Sequence, residues 1–280
     1  MPQARSRLIL ILTVSSLLAL LAGILIIIGI SIETPYSVVN NSDNGLSELY
    51  DRYRGRVLYE QAELANYKGE RTLLVAPRTT PLKDIGTLNN YVEKGGLVIV
   101  YGKPEYIINF LRALGINTSF IGYVRTGLPA LESEFLVSGN VYNIDTVFKN
   151  PYTIRGVEAD YVIAWSSYLS YLDLNENNLY DLGEPIGPQI LGLEISIGEG
   201  KYVVLFTEFF LENNVLTYNT RCIDRLLETR ELIIDQSEHV SNPLVYLKLT
   251  METRSSPPHM YVSLALIIFI ILVAYIVVKE

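Results

Sequence analysis

The 280-residue chain is nearly devoid of cysteine, histidine and tryptophan, with one Cys, two His and one Trp. A single cysteine excludes an internal disulfide framework and any four-cysteine zinc site. Cys222, beside Ile223 on an expected helix, reads as a small packed residue. Cations are also scarce, 22 Lys and Arg against 30 Asp and Glu, and they do not cluster. Nucleic-acid binding needs clustered positive charge, so no nucleic-acid partner is expected. No G-x-G-x-x-G follows the first strand and no Walker loop occurs anywhere, which excludes the common nucleotide sites; no organic cofactor is expected. The turn Gly102-Lys103-Pro104 carries neither Ser nor Cys, so the nucleophile elbow of a hydrolase is missing.

Apolar residues, by contrast, are abundant and unevenly placed. Residues 8–30 are 23 in a row without a charge, and residues 261–278 are another 18. About 20 apolar residues cross a bilayer as a helix, so both stretches are expected to span. The first is longer than the roughly 7–15 residues of a signal core, which makes it an uncleaved anchor. Arg5 and Arg7 before it and Lys279 after the second place both termini in the cytoplasm. The expected organisation is a cytoplasmic start (1–7), a transmembrane helix (8–30), an extracytoplasmic domain (31–259), a second helix (260–278) and a cytoplasmic end (279–280). Setting aside Arg5, Arg7, Lys279 and Glu280 leaves 19 cations and 29 anions outside, a net charge of −10.

The outer domain is organised around residues 71–103. Residues 72–76 are a short apolar run without helical spacing, which predicts a buried strand. Ile85, Leu88, Tyr91 and Val92 then recur at helical intervals until Gly95 and Gly96 stop the helix. Residues 97–101 are a second apolar run. Strand, helix and strand in about thirty residues make a crossover unit of a parallel sheet. Residues 36–40 and 56–60 read as earlier strands. Pro104 opens a further helix, with Ile107, Phe110 and Leu111 on its inner face. From about 118 to 200 helical spacing disappears and short β-branched runs alternate with turns, which predicts a β-rich insertion. The sheet resumes at 202–206, with a helix through Ile223 and a last strand at 232–234. The expectation is an α/β fold: a doubly wound, mostly parallel, flavodoxin-like sheet with a β-rich insertion, flanked by transmembrane helices.

Two places suggest chemistry. Residues 173–184 carry oxygen side chains at positions one, three, five, nine and twelve: Asp173, Asn175, Asn177, Asp181 and Glu184. Leu179 stands where a backbone carbonyl serves. This is the spacing of a calcium loop, with Asn178 in the position of the usual glycine, and structural Ca²⁺ is the cofactor it would hold. The second is the carboxyl edge of the parallel strands, where open α/β sheets bind ligands. Arg78, Thr79, Glu208, Asn213, Asp235 and His239 fall there. Two N-x-S/T sequons, at Asn40 and Asn117, would permit glycosylation.

These segments resemble a membrane-anchored prokaryotic family, domain of unknown function 4350. The likeness lies in residues 36–40 and 45–49, 73–77, 88–100 with Gly95-Gly96, 173–188, 200–213 and 233–239. The resemblance implies an amidotransferase-like fold without a catalytic triad. It also implies a membrane assembly shared with a MoxR-type ATPase system. The function expected is therefore binding or scaffolding at the membrane without catalysis. The alternative is an envelope hydrolase working through acids such as Glu208 and Asp235.

Overall fold

The structure is a computed structural model that describes residues 14–16, 18–19, 22–23, 33–79, 85–126, 135–239 and 243–253. The chain forms two compact units. One comprises Met1–Ile32 with Ser241–Glu280, the other Glu33–Val240. In the first, residues 14–16, 18–19 and 22–23 are helical, and Pro243–Thr253 forms a helix (here α5). Proline suits its first turn, where the missing N–H has no partner to lose. Two threonines, Thr250 and Thr253, donate to the carbonyls one turn back.

The second unit is built on one sheet of twelve strands. In chain order they are β1 (Arg56–Leu58), β2 (Thr72–Arg78), β3 (Leu97–Gly102), β4 (Ser119–Thr126), β5 (Leu136–Val141) and β6 (Ile144–Arg155). There follow β7 (Val162–Ser166), β8 (Ser170–Asp173), β9 (Ile190–Ile197), β10 (Gly200–Leu205), β11 (Thr207–Phe209) and β12 (Glu231–Asp235). The helices are α1 (Ser47–Tyr53), α2 (Ile85–Glu93), α3 (Pro104–Ala113) and α4 (Asn213–Leu227). The spatial order is β1-β12-β2-β3-β10-β9-β7-β5-β6-β4-β8, with β11 paired to β6.

The strands β1, β12, β2, β3 and β10 run parallel, as the crossover pattern predicts. Apart from the exposed Arg56 and Glu231 at the starts of β1 and β12, their residues are buried or half-buried; β2 and β3 have no exposed position. On one face Leu88, Tyr91 and Val92 of α2 and Ile107, Phe110 and Leu111 of α3 join Leu74, Ala76, Val98 and Val204 in one apolar cluster. The alternate residues Leu73, Val75, Ile99 and Val203 point the other way, and α4 covers that face with Val215, Leu216, Ile223 and Leu226, all buried.

The expectation of a mostly parallel, doubly wound sheet of the flavodoxin or amidotransferase kind, with a separate β-rich insertion, is overturned. Among the described residues four strand pairings are parallel and seven antiparallel. Residues 118–200 do not form a body of their own; they continue the same sheet through β9. The cause is connection length. A parallel pair needs a crossover of a dozen or more residues, and between α3 and α4 the described residues hold no α-helix to supply one. Several of the connections that remain are short turns, and these force antiparallel neighbours. Gly198, at φ 60°, turns β9 into β10. Tyr142 and Asn143, at φ 51° and 63°, turn β5 into β6. Residues 36–40, read as a strand from sequence, form consecutive turns.

The two-pass membrane location is likewise corrected: among the described residues no helix is long and apolar enough to cross a membrane. Residues 260–278, and most of 8–30, lie outside the described residues, as does Pro81.

Candidate functional site at the carboxyl edge of the sheet

The parallel strands end side by side, Arg78 opposite Gly102 and Leu58 opposite Asp235. The chain before α1 folds over these ends. Gln236, wholly buried, fastens it there: its side chain accepts from the Val38 amide (3.1 Å) and donates to the Tyr36 carbonyl (2.8 Å). Asn213 fastens the same segment to α4. Its amide nitrogen donates to Asn40 O, Ser42 O and Ser47 Oγ, while its oxygen accepts from the Glu48 amide. Every polar atom of Asn213 is thus spent on positioning, a reason for its place in the sequence that needs no ligand.

Tyr36 is the centre of what this segment delivers. Its φ of 60° is unusual for a bulky residue and persists only where the surroundings impose it. The ring stacks on Phe209 (5.5 Å), meets Tyr101 edge-on (6.2 Å) and tilts against His239 (5.6 Å). Its hydroxyl donates to the Glu208 carbonyl at 2.8 Å. Burial, reinforced by Glu212 and Glu208, raises its pKa far above that of a free tyrosine.

Beside it lies a buried charge pair. Arg78 Nη1 is 2.6 Å from Glu238 Oε1, with the arginine side chain 1% exposed. Arg78 Nε and Nη2 have no hydrogen-bond partner among the described residues. His239 sits against this pair, and burial, helped by the Arg78 charge, lowers its pKa to about 4 although Asp235 pulls the other way. Its imidazole is therefore neutral at pH 7. The Asp235 carboxylate accepts from the Ser237 amide (2.9 Å) and hydroxyl (2.6 Å). Of the six residues proposed from sequence, Arg78, Asp235 and His239 are brought together. Thr79 is half-buried next in chain, and Asn213 is structural. Glu208 joins from the far side of Tyr36, its carboxylate accepting from Tyr123 (3.2 Å) and Asn150 (3.3 Å).

The antiparallel half supplies what the sequence did not indicate. Strand β6 pairs with β11 next to the end of β10. This brings in Asn150 and Tyr152, whose hydroxyl donates to the Gly102 carbonyl at 3.0 Å. Glu212, just before α4, is wholly buried. A helix start and nearby backbone amides favour a carboxylate, yet loss of water dominates and lifts its pKa to about 8. The Tyr101 hydroxyl interacts with it, but among the described residues neither side chain completes a hydrogen bond of normal geometry. Glu238 is in the Asp-Gln-Ser-Glu-His run that the sequence displays. Nothing local marked Glu212 or Tyr36, because only the tertiary packing buries them.

The loop at 173–184 closes through its own hydrogen bonds. Asp173, fully buried, accepts the amides of Asn177 (3.1 Å) and Asn178 (3.0 Å), and Glu184 accepts those of Leu174 (2.9 Å) and Asp181 (3.0 Å). Asp181 accepts from the side chains of Asn175 and Asn177. Asn178 takes φ 62°, as its position requires. Leu179 is exposed and donates its amide to Asn177. Arg125 on β4 points its guanidinium at this loop, 3.9 Å from Asp173 and 3.1 Å from the Asn178 side-chain oxygen, held between the rings of Tyr123 and Phe135. Positive charge next to crowded carboxylates is thus built into the fold, and no sequence spacing pointed to Arg125. Among the described residues no group of three or more His, Cys, Asp or Glu could hold a metal ion. Of the two sequons, Asn117 is exposed. Asn40 is buried, with its amide nitrogen spent on Thr34 O and Asn44 Oδ1.

No family model and no curated protein matches the chain. Parts of several glycoside hydrolases are similar in structure. A GH42 β-galactosidase from G. stearothermophilus, in a catalytic mutant, is 13% identical, with 57% of this chain and 22% of that one covered and a TM-score of 0.35. For the β-galactosidase of Bacillus circulans sp. alkalophilus the values are 10%, 57%, 23% and 0.34. For an exo-β-1,4-mannosidase of Opitutaceae bacterium strain TAV5 they are 16%, 56%, 23% and 0.29. The matched part spans under a quarter of each of these chains. At TM-scores this low the likeness defines neither a shared fold nor a shared activity.

Proposed function

We propose that Glu33–Val240 is a binding module whose carboxyl edge takes a small ligand bearing an anionic oxygen. One observation carries the reading: at the end of a central parallel strand the buried Arg78 guanidinium has two nitrogens without a partner among the described residues. Buried donors are nearly always satisfied, and the planar fork of arginine suits a carboxylate or phosphate. The acids around it are engaged, Glu238 with Arg78, Asp235 with Ser237 and Glu208 with Tyr123 and Asn150, which supports binding over turnover.

Hydrolysis is the second reading, and Glu212 favours it. A carboxyl group that stays protonated at neutral pH is what a general acid requires. The two readings separate in one set of measurements. Melting of the full chain is followed with acetate, succinate and inorganic phosphate, for the wild type and for Arg78→Lys. Binding predicts a rise in the midpoint that grows with the logarithm of anion concentration and that Arg78→Lys reduces at least tenfold in apparent affinity. An unchanged midpoint with all three anions would sink it. In parallel, release of nitrophenol from p-nitrophenyl glycosides, lost in Glu212→Gln with the melt unaltered, would establish hydrolysis instead.

A further inference from the structure

A second site lies away from the carboxyl edge, on the antiparallel half. Strands β5 and β7 set Asn140 directly opposite Trp165, on one face. The turn Tyr142-Asn143 places the exposed Asn143 beside them, and the turn after β7 adds Tyr168, 82% exposed. With Ser166 and Pro188 these residues line a cleft of about 350 Å³, within the range of small-molecule sites, roughly 300–1,000 Å³. Its walls are held in place before any ligand arrives. The Ser166 amide donates to the Gln189 carbonyl and the Gln189 amide to Ser166 Oγ. The Tyr168 turn is pinned by the Ser167 amide on Ser138 O and by the Ser170 amide on Ser167 O.

Three properties define what would fit. Trp165 and Tyr168 offer flat apolar faces to water, a costly exposure for such large rings. The side-chain carboxamides of Asn140 and Asn143 make no hydrogen bond among the described residues, and each presents both donors and an acceptor. Among the described residues no lining side chain is charged. A pyranose ring has that combination, a C–H face that lies against an aromatic plane and a rim of hydroxyls that both give and accept. A nucleotide or a sulfated glycan would demand cations that the cleft lacks. We infer that this cleft binds a neutral oligosaccharide, independently of the ligand at the carboxyl edge.

Trp165 is the sole tryptophan of the chain, so its fluorescence reports on this cleft alone. The full chain is titrated with gluco-, galacto- and manno-oligosaccharides of two to four units, up to tens of millimolar. A saturable shift in emission with one of them is expected. Tyr168→Ala should weaken it at least tenfold, and Asn143→Asp, which keeps a residue tolerant of the left-handed turn, several-fold. Both positions are exposed, and unchanged melting of the variants would exclude misfolding. The inference is overturned if no sugar alters the emission, if the affinity ignores both substitutions, or if only a proline-rich peptide produces the shift.

Discussion

Glu212 and His239 carry opposite pH dependences within one polar edge. Glu212 keeps its proton to about pH 8 when folded, against an ordinary value of 4.5. Its contribution is complete below pH 4.5 and is lost as pH rises through the window to 8, by at most about 1.4 kcal/mol per pH unit. His239 has its folded value lowered from 6.5 to about 4, so its contribution is present above pH 6.5 and is lost as pH falls toward 4. Between 4.5 and 6.5 the two oppose one another; from 6.5 to 8 only Glu212 acts. Urea midpoints of the wild type are therefore expected to fall across pH 6.5–8, and those of Glu212→Gln to stay flat there. A slope that survives the substitution would place the titrating group elsewhere. The same burial explains why neither role was legible. A glutamate ahead of a helix looks like an N-terminal acid in water, and the position of His239 at the carboxyl edge, visible in the sequence, gives no sign that the ring is buried.

At the scale of elements, the helices and the parallel strands follow from period and punctuation. Helix α3 begins at Pro104 and α2 stops before Gly95, as the spacing requires. The antiparallel elements were less legible, since β4, β6, β8 and β11 have no repeating apolar pattern that separates them from loop. Besides its ladders to β5, β4 and β11, β6 is tied to α4. Asn219, fully buried, accepts from the Val147 amide (2.8 Å) and donates to the carbonyls of Val147 (2.8 Å) and Phe210 (2.6 Å). Polar residues in a helix interior commonly face solvent; this one replaces a strand partner. Removing it leaves three buried backbone groups unsatisfied, each worth about 1–3 kcal/mol. Asn219→Ala is expected to destabilise the protein by about 3 kcal/mol or more in denaturant titration, and Asn219→Asp by a comparable amount. A loss under about 0.5 kcal/mol would mean that the strand ladders of β6 and the packing of Val147, Val215 and Leu136 hold it without Asn219.

For the molecule as a whole, the continuity of the sheet matters more than its two patterns. Strand β10 belongs to both halves, pairing with β3 on one side and β9 on the other, and Ile154, Leu193 and Ile195 pack into the same cluster as Leu74 and Val98. An insertion that folded by itself would melt by itself. Glu33–Val240 should instead unfold in one transition, with fluorescence of Trp165 and far-ultraviolet circular dichroism giving the same midpoint. Two separate midpoints would restore the reading of 118–200 as an independent body.

Much was settled by local chemistry alone. The buried runs at β2, β3, β10 and β12 and the helical stripes of α2 and α3 depend on residues close in sequence, where period and steric preference act directly. The loop at 173–184 was visible for the same reason, although the cation that faces it, Arg125, arrives from a strand some fifty residues earlier. Strand direction beyond β10, the pairing of β6 with β11, the burial of Tyr36, Arg78 and Glu212, and the meeting of Asn140 with Trp165 were decided only by tertiary structure. Each depends on which distant segment displaces water from a given side chain, and burial of that kind has no signature in the neighbouring residues.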